Sequence, residues 1–147
     1  MAKLLKNVRP SLFASVALAL LLGACSTMSM DMGHTSKISL DGAHEVPPTG
    51  SSATGSGTIV VAADKSVSGS ITTDGIQGKV AHIHEGAVGK NGPVLVGLVK
   101  TGDNTWSVPA NTKFTDAQYA SYLAGNLYVN VHSATNPAGE IRAQLLP

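Results

Sequence analysis

Residues 127–132 read LYVNVH, and these six positions decide the fold. Leu127, Val129 and Val131 alternate with Tyr128, Asn130 and His132. A period of two marks a strand with one face in an apolar core and the other among polar groups. Downstream, residues 139–146 (GEIRAQLL) repeat the pattern, with Ile141, Ala143 and Leu145 opposite Glu140, Arg142 and Gln144. Upstream, residues 115–118 (TDAQ) fit a capping box with Thr115 as N-cap and Gln118 at N3. Phe114 and Tyr119 take the places of a hydrophobic staple, and Gly125 stands where a C-terminal cap falls. The spacing predicts one helix over 116–124.

Further strands are expected at 37–41, 57–63, 67–73, 79–84 and 105–108, separated by Gly-, Pro- and Asn-rich turns. Residues 94–100 (VLVGLVK) form a continuous apolar run, which predicts a buried strand. The segments 42–55, 85–93 and 133–139 read as loops. About eight short strands with frequent turns predict a mainly β domain, a two-sheet antiparallel sandwich carrying one short helix.

Composition supports this. Charged residues make up 13% of the chain, and there is one cysteine, so no disulfide framework can replace an apolar core. Lys3, Lys6 and Arg9 precede an uncharged stretch at 11–22 that is too short to span a bilayer but suits a signal-peptide core. It ends in LGAC at 22–25, which resembles a lipobox. The expectation is a lipoprotein signal peptide at 1–24 and lipidation of Cys25. A flexible Met-rich tether would occupy 25–36 and a domain 37–147. Ser26 after the cysteine points to the outer membrane, by resemblance to Gram-negative lipoproteins. Such a chain would sit in the cell envelope, facing the periplasm. Loss of the three N-terminal cations takes the formal charge from +1 to −2. This gives no electrostatic ground for a nucleic-acid partner.

The chemistry-bearing residues are histidines. His82 and His84 are two apart on a predicted strand, so both rings project from one face. His132 ends another strand on its polar face. If those strands are neighbours, three imidazoles converge, a donor set suited to copper, zinc or nickel. Alternatively, the three rings hydrogen-bond loop carbonyls and hold the 85–93 and 133–139 loops. Met28, Met30 and Met32 alternate with His34 next in register, and thioethers favour Cu(I). Linker methionines with no such role would look the same. His44 is a further imidazole in the turn-rich stretch. Glu140 and Arg142 share a polar face. They are open to an ion pair, to a hydrogen bond from a ligating imidazole to Glu140, or to plain support of a loop and the sheet face.

The chain from about residue 39 to 146 resembles the CHRD (chordin-type) domain. The matching pieces are LDG at 40–42, EVPP at 45–48, ATG at 53–55 and AHIH at 81–84. They continue with Gly86, NGP at 91–93, LAG at 123–125, YVNVH at 128–132, Pro137 and GEIR at 139–142. The resemblance implies an immunoglobulin-like sandwich in a family whose bacterial members are often secreted or lipid-anchored. The HxH strand is also similar to that of copper/zinc superoxide dismutase. That enzyme's zinc-site loop and disulfide have no counterpart here, which argues against dismutation and leaves superoxide-related copper chemistry as a minor alternative. Two functional expectations follow: an envelope module binding copper (or zinc) for storage, buffering or tolerance, and a metal-independent module recognising an envelope protein or glycan. No catalytic triad, phosphate loop or catalytic cysteine is recognisable.

Overall fold

The computed structural model describes residues 33–147. The expected signal peptide, Cys25 and Met28, Met30 and Met32 of the expected tether lie outside the described residues. The elements are β1 (His34–Asp41), β2 (Thr54–Val61), β3 (Val67–Asp74), β4 (Gly78–Glu85), β5 (Val94–Gly97), β6 (Val99–Lys100), β7 (Thr105–Ser107), α1 (Asp116–Leu123), β8 (Leu127–Ser133) and β9 (Ile141–Leu145). All strand pairings are antiparallel, in the order β5-β4-β8-β9-β1-β2-β3-β7-β6.

That order is a nearly closed sheet flattened into two leaves. One corner is the seam between β9 and β1, joined by the single pair Asp41↔Arg142. The other is Leu98, which alone separates β5 from β6. The 94–100 run therefore pairs with β4 through its first half and with β7 through its second. This corrects the expectation of one buried strand. Leu98 is buried, but Val94 and Val99 are about half exposed (51% and 50%). At a corner the apolar run has solvent on its outer side.

Inside the flattened barrel, Leu127, Val129 and Val131 of β8 pack with Ile83 of β4 and Ile141 and Leu145 of β9, all fully buried. Trp106 of β7 crosses from the opposite leaf. A Cβ at Gly78 would lie 2.9 Å from its ring and 3.0 Å from Val131, so only glycine lets the indole close over β4.

The helix forms as the capping signals predict. The Thr115 side chain accepts from the Gln118 amide, and the Gln118 side chain accepts from the Thr115 amide. Its fully buried Tyr122 covers the weak β9–β1 seam. There the Ser36 hydroxyl donates to the Leu146 carbonyl, so the Tyr122 hydroxyl at 2.9 Å donates to Ser36. Ser36 is thereby buried, and β1 starts at His34. Residues 34–36, which fall within the expected tether, are strand. Their polar side chains carry no periodic apolar signal, and a distant tyrosine hydroxyl accounts for the burial of Ser36.

Two substitutions separate core from cap. Leu127→Ala removes a fully buried side chain and is expected to cost about 2–5 kcal/mol. Thr115→Ala removes one cap bond and is expected to cost about 1 kcal/mol. Urea unfolding of both variants measures the difference.

Candidate metal centre

β4 and β8 are adjacent, in a register that pairs Val80 with His132, His82 with Asn130 and His84 with Tyr128. Their core-facing residues are Ala81, Ile83, Val129 and Val131, so the residues between them project from the outer face. His82 and His84 point out from β4, and His132 lies diagonal to His82 on β8. One ring nitrogen from each lies within 4.8 Å of those of the other two. The His82 Nδ1 and His132 Nε2 atoms are 3.0 Å apart. Metal–nitrogen bonds near 2.0–2.1 Å in tetrahedral-type geometry put donor nitrogens about 3.3 Å apart. The first edge is close to that spacing, and the widest must contract by up to about 1.5 Å. The three rings can therefore hold a metal ion.

Two backbone carbonyls fix how the rings present themselves. His84 Nδ1 lies 3.0 Å from the Gly92 carbonyl, and His132 Nδ1 lies 3.0 Å from the Pro137 carbonyl. A carbonyl only accepts, so both Nδ1 atoms carry the proton and both Nε2 atoms carry a lone pair. His132 Nε2 accepts from His82 Nδ1. Among the described residues His84 Nε2 is buried with no hydrogen-bond partner of good geometry, though the Asn130 side chain lies near enough to act on the ring. An unpartnered buried acceptor costs about 1–3 kcal/mol, and an ion would satisfy it. The two alternatives read from the sequence are compatible here: His84 and His132 hold the loops through one nitrogen and offer the other. His82 touches no loop carbonyl.

The 86–93 loop that supplies the Gly92 carbonyl is itself anchored to the outer face. Gly92 N–H donates to the Tyr128 hydroxyl at 3.2 Å. A Cβ at Gly92 would fall 1.6 Å from the Glu85 carbonyl, so the chain can pass there only as glycine. Arg142 donates to the carbonyls of Lys90 (3.0 Å) and Ala87 (3.4 Å) and to Asn91 Oδ1 (3.2 Å). Asn91 in turn donates to the Val46 carbonyl at 2.7 Å. The Tyr128 ring stacks on His84, with centroids 4.8 Å apart and planes within 6° of parallel. The Arg142 guanidinium lies 3.4 Å from the other end of that stack, over the Tyr128 ring.

The remaining expected site residues lie elsewhere. The His44 Nδ1 and backbone N–H both bond Asp41 Oδ1, at 2.7 and 3.0 Å, in an exposed turn. His34 opens β1 with its ring edge-on to Tyr122, 5.8 Å away. Neither joins the cluster. Glu140 accepts from the hydroxyls of Ser51 (2.6 Å) and Ser133 and meets no imidazole. No ion pair joins it to Arg142. Arg142 reaches the site through Tyr128 instead. Tyr128, Asn130 and Gly92 were missed as site residues. The alternation that put Tyr128 and Asn130 on one face with His132 was the available signal for the first two.

Burial lowers the pKa of His82, and the neighbouring His132 and His84 add to the shift. Burial also lowers that of His84, helped by the nearby His132 and Arg142 and opposed by hydrogen bonding to Gly92 and Asn130. Both rings thus stay neutral, the form that binds metal, below the pH at which a free imidazole charges.

These features define a β-sandwich domain with a three-histidine cluster on one outer face. The CHRD domain family model matches residues 37–145, and the chain belongs to that family. Searches of curated proteins and of solved structures found no match to the chain.

Two outcomes test the site without metal. Long-range proton–nitrogen NMR of the metal-free chain is expected to show His84 and His132 as Nδ1–H tautomers. The folded state binds fewer protons than the unfolded chain below the ordinary imidazole pKa of 6.5. The contribution of these two rings to stability is therefore complete above pH about 6.5 and falls as the pH drops below it. Urea unfolding between pH 7.5 and 5.5 is expected to lose less stability in His84→Gln than in wild type.

Proposed function

We propose that this chain is a lipid-anchored envelope module that binds a transition-metal ion, copper first and zinc as the alternative, for storage or buffering. The observation that carries the metal reading is the set of Nε2 lone pairs. Two rings on neighbouring strands have their Nδ1 protons committed to the Gly92 and Pro137 carbonyls, and the buried His84 Nε2 has no hydrogen-bond partner of good geometry among the described residues. This is the support that metal-ligating histidines ordinarily receive from their surroundings. Imidazole donors suit copper and zinc, and copper heads the divalent first-row affinity order. Three protein donors leave a position open on the ion, and His82 and His132 are only half-buried, so an ion can exchange with solvent or a partner. The anchor reading rests on the LGAC stretch at 22–25 behind a short apolar segment.

Titration of the metal-free chain with copper is expected to give one ion per chain. The His82→Ala/His84→Ala double variant should lose at least about a hundredfold in affinity, beyond the 10–100-fold typical for supporting residues. Unchanged affinity in the double variant removes the metal reading. The anchor is tested separately. Labelled palmitate should enter the wild-type chain in a bacterial host and not the Cys25→Ser variant.

A further inference from the structure

Arg142 is 1% exposed, yet among the described residues no carboxylate lies within 4.0 Å of its guanidinium. Its partners are the carbonyls of Ala87 and Lys90, the side-chain oxygens of Asn91 and Gln144, and the face of Tyr128. A buried charge without an ion-pair partner costs several kcal/mol. Anchoring the 86–93 loop does not by itself require a cation, because neutral amide donors bond carbonyls as well. What the position does provide is a full positive charge stacked behind a candidate ligand. Guanidinium, phenol ring and His84 imidazole lie in sequence, 3.4 Å and 4.8 Å apart. All three donors in the cluster are imidazoles, and no carboxylate or thiolate joins them among the described residues. Glu45, the buried acid on the far side of Asn130, is held toward its neutral form by burial, against the pull of Arg142.

An ion in this cluster thus meets three uncharged donors and a fixed positive charge behind one of them. The penalty scales with the ion's own charge. A unit charge on the order of 10 Å away, at an effective dielectric near 20, shifts an equilibrium by about tenfold for each added charge on the ion. We infer that the three-histidine site selects a monovalent ion, Cu(I), over divalent ions, with Arg142 as the positioning residue that sets the preference through the Tyr128 stack. This rests on the copper reading above and names the oxidation state of its cargo.

The test uses the full chain in detergent. Cu(I) affinity is measured without oxygen against a chromophoric competitor, and Cu(II) affinity by direct titration. Wild type is expected to bind Cu(I) more tightly than Cu(II). Arg142→Gln should lower the Cu(I)-to-Cu(II) affinity ratio about tenfold, and Arg142→Lys, which restores the charge, should recover most of it. General loosening of the loop would weaken both ions together and leave the ratio unmoved. A wild-type chain that binds Cu(II) at least as tightly as Cu(I) overturns the inference, whether or not the variants fold. So does an unmoved ratio in a folded Arg142→Gln. A wild-type chain that binds neither ion removes the copper reading itself.

Discussion

The register between β4 and β8 is the constraint on which the site depends. It pairs His84 with Tyr128 and sets His132 diagonal to His82. A slip of one residue would send every imidazole into the core and every core valine to the surface. The register is held from the inside. Ile83, Val129 and Val131 are fully buried, so the apolar face cannot shift without exposing them. The same alternation that forms the core therefore places the histidines. No separate device is needed to bring residues fifty positions apart in the chain together.

A second layer lies over the outer face. The loops at 42–53 and 86–93 cross the open side of β4, β8 and β9, joined by the Asn91–Val46 bond and held down by Arg142. Beneath them lies a polar counterpart of the core, made of His84, Tyr128, Asn130, Arg142 and Glu45, all buried. Networks of this kind are costly when incomplete. The two gaps in this one are His84 Nε2 and Asn130 Oδ1, both belonging to outer-face residues next to the cluster. The molecule thus has two interiors, an apolar one that sets the geometry and a polar one that sets the chemistry.

Much of this was legible in the sequence where the signal was local. The capping box at 115–118 predicted the helix because cap and partner are three residues apart. The alternation at 127–132 and 139–146 predicted strands and their faces, and with the HxH pair it named the three clustered histidines. What could not be read was non-local. Nothing near Ser36 indicates that it will be buried against Tyr122. The 94–100 run gives no sign that the chain changes partners at Leu98. His44 and His34 have the right side chain in the wrong place, because an aspartate three residues away takes one ring and the start of β1 carries the other to a different corner. Arg142 was placed on the correct face, but its bond with Tyr128 is diagonal across two strands and leaves no trace in spacing.

The corner at Leu98 bears on how copies of the chain tolerate one another. A long, flat outermost strand offers a ladder of unpaired amides to any neighbour and invites sheet-to-sheet growth. Here the two outermost strands are consecutive pieces of one bent run, four and two residues long. Neither is long enough to template more than a few bonds, and the bend turns them in different directions. Chains packed side by side at high density would therefore find little to polymerise upon, a form of protection that comes from how the barrel ends.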